Sequence, residues 1–423
     1  MGLHRLSAPL TAFSLAFLVA TGSAQAVPGD LDTSFSGDGF TTVSAELGDE
    51  FINGIDEGNG KLVGAGWTSD TVDRNALLIR LKGGGAVDTS FSGDGMVVTG
   101  GSADEGWTDV VALEDGSVVA VGAFPGGGGG RVALASYTSG GGRDRAFGRK
   151  GIRYANLDPG AERPEALVKM GSSYYVVGSL GSSPNMDMFI ARFNGSNGRL
   201  DQSYAAGGVR RIDIGLNDTA YSLHRTQDGG MAIGGTAQPS ASFQMALAKV
   251  SAAGNLVNGF GDGGGTTTLG VSGANAGYDL SRDGSRIVLA GRSLGITYDP
   301  AIAIFKADGS PDTSFDGDGF RSYPISPSDG RFASVFVTPD GIIAAGQGSS
   351  GIDQDFLLMR VSRSTGAPDA TFGGGDGMVF TNLGSDQDAA TDTTLVGNTV
   401  YLGGWADVGP TFSEAAFARY DLT

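Results

Sequence analysis

The sequence contains no cysteine and only two histidines among 423 residues. The first absence excludes disulfides, thiolate zinc centres and cysteine nucleophiles. The second excludes a multi-histidine metal site, because His4 falls in an N-terminal leader and leaves His224 alone. Positive charge is scarce as well: 28 Lys plus Arg stand against 46 Asp plus Glu, a formal charge of −18. A field of that sign repels nucleic acid and anionic membrane at long range, so neither is an expected partner. Beyond the leader no uninterrupted apolar run reaches the ~20 residues of a membrane-spanning helix.

What the sequence holds in excess is glycine, with 74 residues, about twice the usual share of roughly 7%. The glycines recur at fixed places in a repeating unit. The stretch Leu31-Asp32-Thr33-Ser34-Phe35-Ser36-Gly37-Asp38-Gly39 returns six times, and its aromatic residue falls at Phe35, Phe91, Phe147, Tyr204, Phe260, Phe315 and Phe372. Its aspartate falls at Asp32, Asp88, Asp144, Asp201, Asp312 and Asp369, with Val257 in its place in one unit. A spacing this regular means one repeat architecture rather than several domains.

Each unit carries four strand signals, seen in one copy at 95–99, 107–113, 117–122 and 131–137. The 117–122 type is nearly all apolar, as expected of a strand buried on both faces in the middle of a small sheet. Asp-Gly hairpins precede it, as at Asp115-Gly116 and Asp283-Gly284. Four antiparallel strands per unit, repeated seven times, predict an all-β, seven-bladed propeller over residues 27–423. The chain starts with a motif and the strand Phe40-Thr41-Thr42-Val43, and it stops at Phe417-Ala418-Arg419-Tyr420, where another such strand is due. The N-terminal strand is therefore expected to complete the last blade, closing a monomeric ring without open edges.

Residues 1–26 read as a signal peptide: His4 and Arg5, an apolar run from Leu10 to Ala20, and the small-x-small site Ala24-Gln25-Ala26. The expected destination is the periplasm or the exterior.

The run Asp-x-Ser-Phe-x-x-x-Gly, preceded by Leu78-Ile79-Arg80-Leu81 or Ala191-Arg192-Phe193, resembles the delta-60 repeat. That family is a β-propeller domain of unknown function common in secreted bacterial proteins. The resemblance covers residues 30–423; it implies the fold and brings no activity with it.

The motif aspartate recurs too often to be a single binding site's ligand. Its expected role is to accept local backbone N–H groups and fix a turn while the following ring packs between blades. Asp316-Gly317-Asp318-Gly319 is similar to an acidic calcium loop but lacks the distal glutamate, so it reads as a turn. No cofactor is expected, and calcium is left to a thermal-shift test. His224 stands two residues after Ser222, yet no Gly-x-Ser-x-Gly elbow frames that serine, so a strand-end structural histidine is expected.

The motif loops and Asp-Gly hairpins share one face of the expected ring and are nearly uniform. The loops on the other face, 67–75, 124–131, 179–187, 236–244, 292–300, 347–355 and 405–414, differ in length and chemistry. Diverse loops on a rigid body are where binding usually sits. Trp67 and Trp405 hold the same place in the first and last units, which ring closure makes neighbours, with Asp70, Asp73, Asp407 and Glu414 nearby in sequence. Two exposed indoles would stack on a sugar or grip a cation; the plainer reading is rings that fill space between blades. The expectation is a binding or scaffold module for an extracellular glycan or protein. The alternative is a glycoside hydrolase or lyase using paired carboxylates on the same face.

Overall fold

The computed structural model describes residues 27–423, apart from 46–47, 70–72, 102, 127–128, 326–328, 350, 352, 385 and 410–411. The expected signal peptide and Asp70 lie outside the described residues. The described chain forms seven four-stranded antiparallel sheets. In the first blade Glu50–Gly58, Lys61–Ser69, Arg74–Lys82 and Met96–Thr99 pair in chain order from the axis outward. Five further blades repeat this order. The seventh consists of Asp388–Val396, Thr399–Asp407 and Ser413–Asp421, completed on the outside by Phe40–Val43. Phe40 pairs with Ala418 and Val43 with Ala415, so the expected ring closure is present.

Seven apolar clusters hold the ring together, and each joins one blade to the next. Phe91 packs with Val63 and Leu78 of the first blade and Trp107 and Val110 of the second. Phe35 packs where the seventh blade meets the first, with Phe417, Tyr401 and Leu77. All seven motif rings are at most 2% exposed, so the repeat places one large anchor at every interface. The outer strands are only three or four residues long, which leaves little free edge for pairing with another chain.

The innermost strands share an irregularity absent from the sequence reading. Each has a β-bulge at the same register: the extra residues are Asn53, Thr108, Glu165, Tyr221, Tyr278, Ala333 and Thr391. The adjoining strand supplies a glycine opposite every bulge. A Cβ on Gly66 would lie 1.8 Å from the carbonyl oxygen of Phe51, and one on Gly291 1.8 Å from that of Ala276. Only glycine admits so close a carbonyl. These glycines do not end their strands: Lys61–Ser69 runs on through Gly66 and Trp67, and Thr399–Asp407 through Gly404 and Trp405.

Candidate functional site

The innermost strands surround an axial cavity of about 670 Å³. The seven bulged residues are all half-buried and all line it. A bulge aims its side chain away from the ordinary alternation, here into the channel. The neighbouring position is Asp109, Asp279 and Asp392 in three blades, and each carboxylate reaches across a blade boundary. Asp109 accepts the N–H of Leu167 at 2.6 Å, Asp279 that of Val335 at 2.8 Å and Asp392 that of Ile55 at 2.8 Å. Gly54 holds this position in the first blade, where a Cβ would lie 2.7 Å from Asp109 Oδ1. The acids thus bind the otherwise unpaired inner edges to one another.

Burial pushes the Asp392 carboxyl up to about 7, against partial relief from the N–H groups of Ile55 and Thr393. Burial, then the charge of Asp392, raises Asp109 well above its ordinary value. Asp279 is raised by burial as well, although Ser222 Oγ donates to it at 2.6 Å. Asp56, three residues after the bulged Asn53 on the same strand, accepts the N–H of Ala112 at 2.9 Å and is pushed up to about 6 by burial. Glu165 is pushed up to about 7 by burial, with only Arg163 opposing. Its charge, after burial, also raises Tyr221, whose ring meets Tyr278 edge-on at 5.3 Å. The guanidinium of Arg331 lies 5.5 Å from the Tyr278 ring.

Three residues before the bulge stands a second set of acids, Glu50, Glu105, Glu162, Asp218 and Asp388. These hold the segments that enter the inner strands: Asp218 accepts the N–H groups of Ile214 at 2.7 Å and Gly215 at 2.9 Å, and Glu105 that of Gly101 at 2.8 Å. Burial raises all five, Asp388 to about 6.

Trp67 and Trp405 lie close together, bridged by Phe51. The Phe51 ring stacks on Trp67 at 4.4 Å and tilts against Trp405 at 5.1 Å, while Arg74 covers Trp67 at 4.2 Å. Both indoles are half-buried, with their contacts in the interface between the seventh and first blades. Asp407 accepts from Ser413 Oγ at 2.7 Å, Glu414 bears electrostatically on Glu50, and Asp73 on Glu105. His224 is exposed at the channel wall, its Nδ1 3.0 Å from its neighbour's carbonyl oxygen. The hydroxyl of Ser222 is turned to Asp279 rather than to His224.

In the motif, Asp88 accepts the backbone N–H and hydroxyl of Ser90, and Asp32, Asp201, Asp312 and Asp369 make the matching pair of bonds. A basic side chain also joins five of these acids: Arg80 to Asp88, Arg192 to Asp201, Arg286 to Asp312, Arg360 to Asp369 and Arg419 to Asp32. Where Val257 replaces the aspartate, Lys249 pairs instead with Asp228 at 2.8 Å. Asp318 accepts the N–H of Phe320 at 2.9 Å and Asp316 pairs with Arg321 at 2.9 Å, so both serve their turn.

Two segments, residues 57–91 and 285–315, match the family described as "Domain of unknown function (DUF5122) beta-propeller". No curated protein matches the chain. Among solved structures it is similar to the polysaccharide lyase Uly1, at 11% identity and a TM-score of 0.53, over 90% of this chain and 91% of the lyase. It is also similar to a protein of unknown function from Dyadobacter fermentans, at 12% identity and a TM-score of 0.46, over 91% and 98% of the two chains. A third similar structure, Sqt1 from Chaetomium thermophilum, has 14% identity and a TM-score of 0.47, over 86% and 85%. At 11% identity the likeness to the lyase speaks for the fold alone.

Proposed function

We propose that the protein is an exported binding module that takes a glycan at the mouth of its axial channel, on the face carrying the diverse loops. One observation carries this reading: seven bulges of one geometry present side chains of five kinds, Asn53, Thr108, Glu165, Tyr221, Tyr278, Ala333 and Thr391. A repeat that keeps its backbone device and varies its tip is built to present chemistry. Two phenol rings with an amide, hydroxyls and a carboxyl suit a polyhydroxylated ligand, the rings for stacking and the polar groups for orientation. The Trp67–Phe51–Trp405 group extends the surface outward, because Phe51 stands two residues before the bulged Asn53.

The test is an oligosaccharide array probed with residues 27–423, followed by titration of the best ligand. Tyr221→Ala with Tyr278→Ala should weaken binding about ten-fold or more. Trp67→Ala with Trp405→Ala should cost less. Unchanged affinity in the tyrosine variant would remove the mouth as the site.

A second reading, catalysis on a polysaccharide, is favoured by Glu165 alone. A carboxyl pushed up to about 7 beside Tyr221 is poised to give or take a proton near neutrality. The similar structure named a polysaccharide lyase is consistent with this reading without arguing for it. Chain cleavage of a polysaccharide panel, abolished by Glu165→Gln, would establish it.

A further inference from the structure

The motif loop of the second blade differs from its six siblings in charge. From the residue before the motif aspartate to the glycine that starts the outer strand, no sibling holds a single Lys or Arg. The second blade holds Arg143, Arg145, Arg149 and Lys150 in that stretch, where the first blade has Val87, Thr89, Gly93 and Asp94. All four cations are exposed, and none is in an ion pair among the described residues. Ser136 replaces the arginine that pairs with the motif acid in the first blade, and none of the four cations takes its place at Asp144 among the described ion pairs.

The loop is also shaped. Gly142, Arg143, Arg145 and Lys150 line an open surface depression. Lys150 has a φ of 58°, in the left-handed region that glycine fills cheaply and a long side chain does not. Arg143 also donates to Thr99 Oγ1 at 3.4 Å, and sibling loops hold Ser36 and Ser92 at a similar φ, so what sets this loop apart is its charge on a chain of net charge −18.

We infer that this loop, on the face opposite the channel mouth, is a separate binding site for an anionic polysaccharide, with guanidinium groups engaging its carboxylates or sulfates. Arginine's planar fork matches such groups bidentately. A lipid surface fits less well: the loop's own large apolar residues, Phe147 and Ile152, are buried, so nothing is offered for insertion, and the net charge opposes a continuous anionic plane. Nucleic acid fits less well because no exposed ring is interleaved with the cations for base stacking. A flexible chain can meet one loop while avoiding the acidic remainder.

The probes are dextran sulfate and alginate, with neutral dextran as control, titrated against residues 27–423 at several salt concentrations. The variant Arg143→Val, Arg145→Thr, Arg149→Gly, Lys150→Asp installs the residues of the first blade's loop. We expect the wild type to bind both polyanions with an affinity that falls with salt, and the variant to lose about ten-fold or more and most of the salt dependence. Equal binding by the variant, or no wild-type binding at low salt, overturns the site. Binding to phosphatidylglycerol vesicles or single-stranded DNA in place of the polysaccharides overturns the ligand class. Should the quadruple variant fail to fold, Arg145→Thr with Lys150→Gly, at two exposed positions, should still weaken binding about three-fold, and an unchanged affinity there is equally fatal.

Discussion

Asp88 in the motif loop and Asp392 in the channel wall both accept backbone N–H groups from a tightly packed ring, yet they hold their protons with opposite strength. Burial alone would push Asp88 up, but bonds to Lys61 and Ser90 and the charge of Arg80 outweigh it and hold the carboxyl well below its usual range. The same balance lowers Asp32 and Asp369. Asp392 has amides and a serine hydroxyl but no cation, and burial leaves it at about 7. The two differ in balance: around Asp392 the amide and hydroxyl bonds fall short of the desolvation, whereas around Asp88 the Lys61 and Ser90 bonds, joined by the charge of Arg80, exceed it.

The largest test breaks the motif side of this contrast. Arg80 is 1% exposed, pairs with Asp88, donates to the carbonyl of Gly116 in the next blade at 3.1 Å and lies over the Phe91 ring at 4.3 Å. Arg80→Ala should cost about 3–5 kcal/mol in denaturant unfolding, the loss expected when one partner of a buried pair is removed.

A smaller effect separates the two sets by pH. Motif acids have depressed folded-state values, so their stabilisation is present above about pH 4 and is lost as pH falls. Channel acids have raised values, so theirs is present in acid and is lost as pH rises through about 6–7. The melting temperature should peak near pH 5 and drop by roughly 3–6 °C by pH 8. Asp392→Asn keeps an acceptor for Ile55 and relieves Asp109 of a like charge, so it should flatten the alkaline limb and leave the acid limb intact.

The smallest sharpens the comparison by addition. Val257→Asp restores the missing motif acid, but Lys249 is already committed to Asp228. The gain should stay below about 1 kcal/mol in the same unfolding assay.

The fold was legible because the repeat period and the strand signals are local, and the chain's two ends expose the missing strand. The motif ring's burial at Phe35 or Phe91 followed from its recurrence. The channel was not legible. A bulge inserts one residue into the two-residue alternation, so Asp109, Asp279 and Asp392 read as surface charge when they face an enclosed wall. A marker was present in Gly66, Gly122 and their counterparts, but a glycine amid apolar residues reads as a strand's end rather than as room for a neighbour's carbonyl. Trp67 and Trp405 were found to be neighbours through ring closure alone; Phe51, which joins them, had no signal because its register depends on that same bulge. The acids that hold the entering segments, such as Asp218 and Glu162, are spaced irregularly from the motif and so escaped the repeat comparison.

The pairing of Phe40 with Ala418 ties assembly of the whole ring to the arrival of its final residues. Closing a loop of nearly the full chain length costs about 5 kcal/mol of entropy, and the six blades built from contiguous sequence can form before that cost is met. The seventh must wait with its outer edge bare. A folding chain therefore passes through a nearly finished state that is vulnerable to trespass by another chain's first strand, so dilution during refolding should favour the closed monomer over linked oligomers.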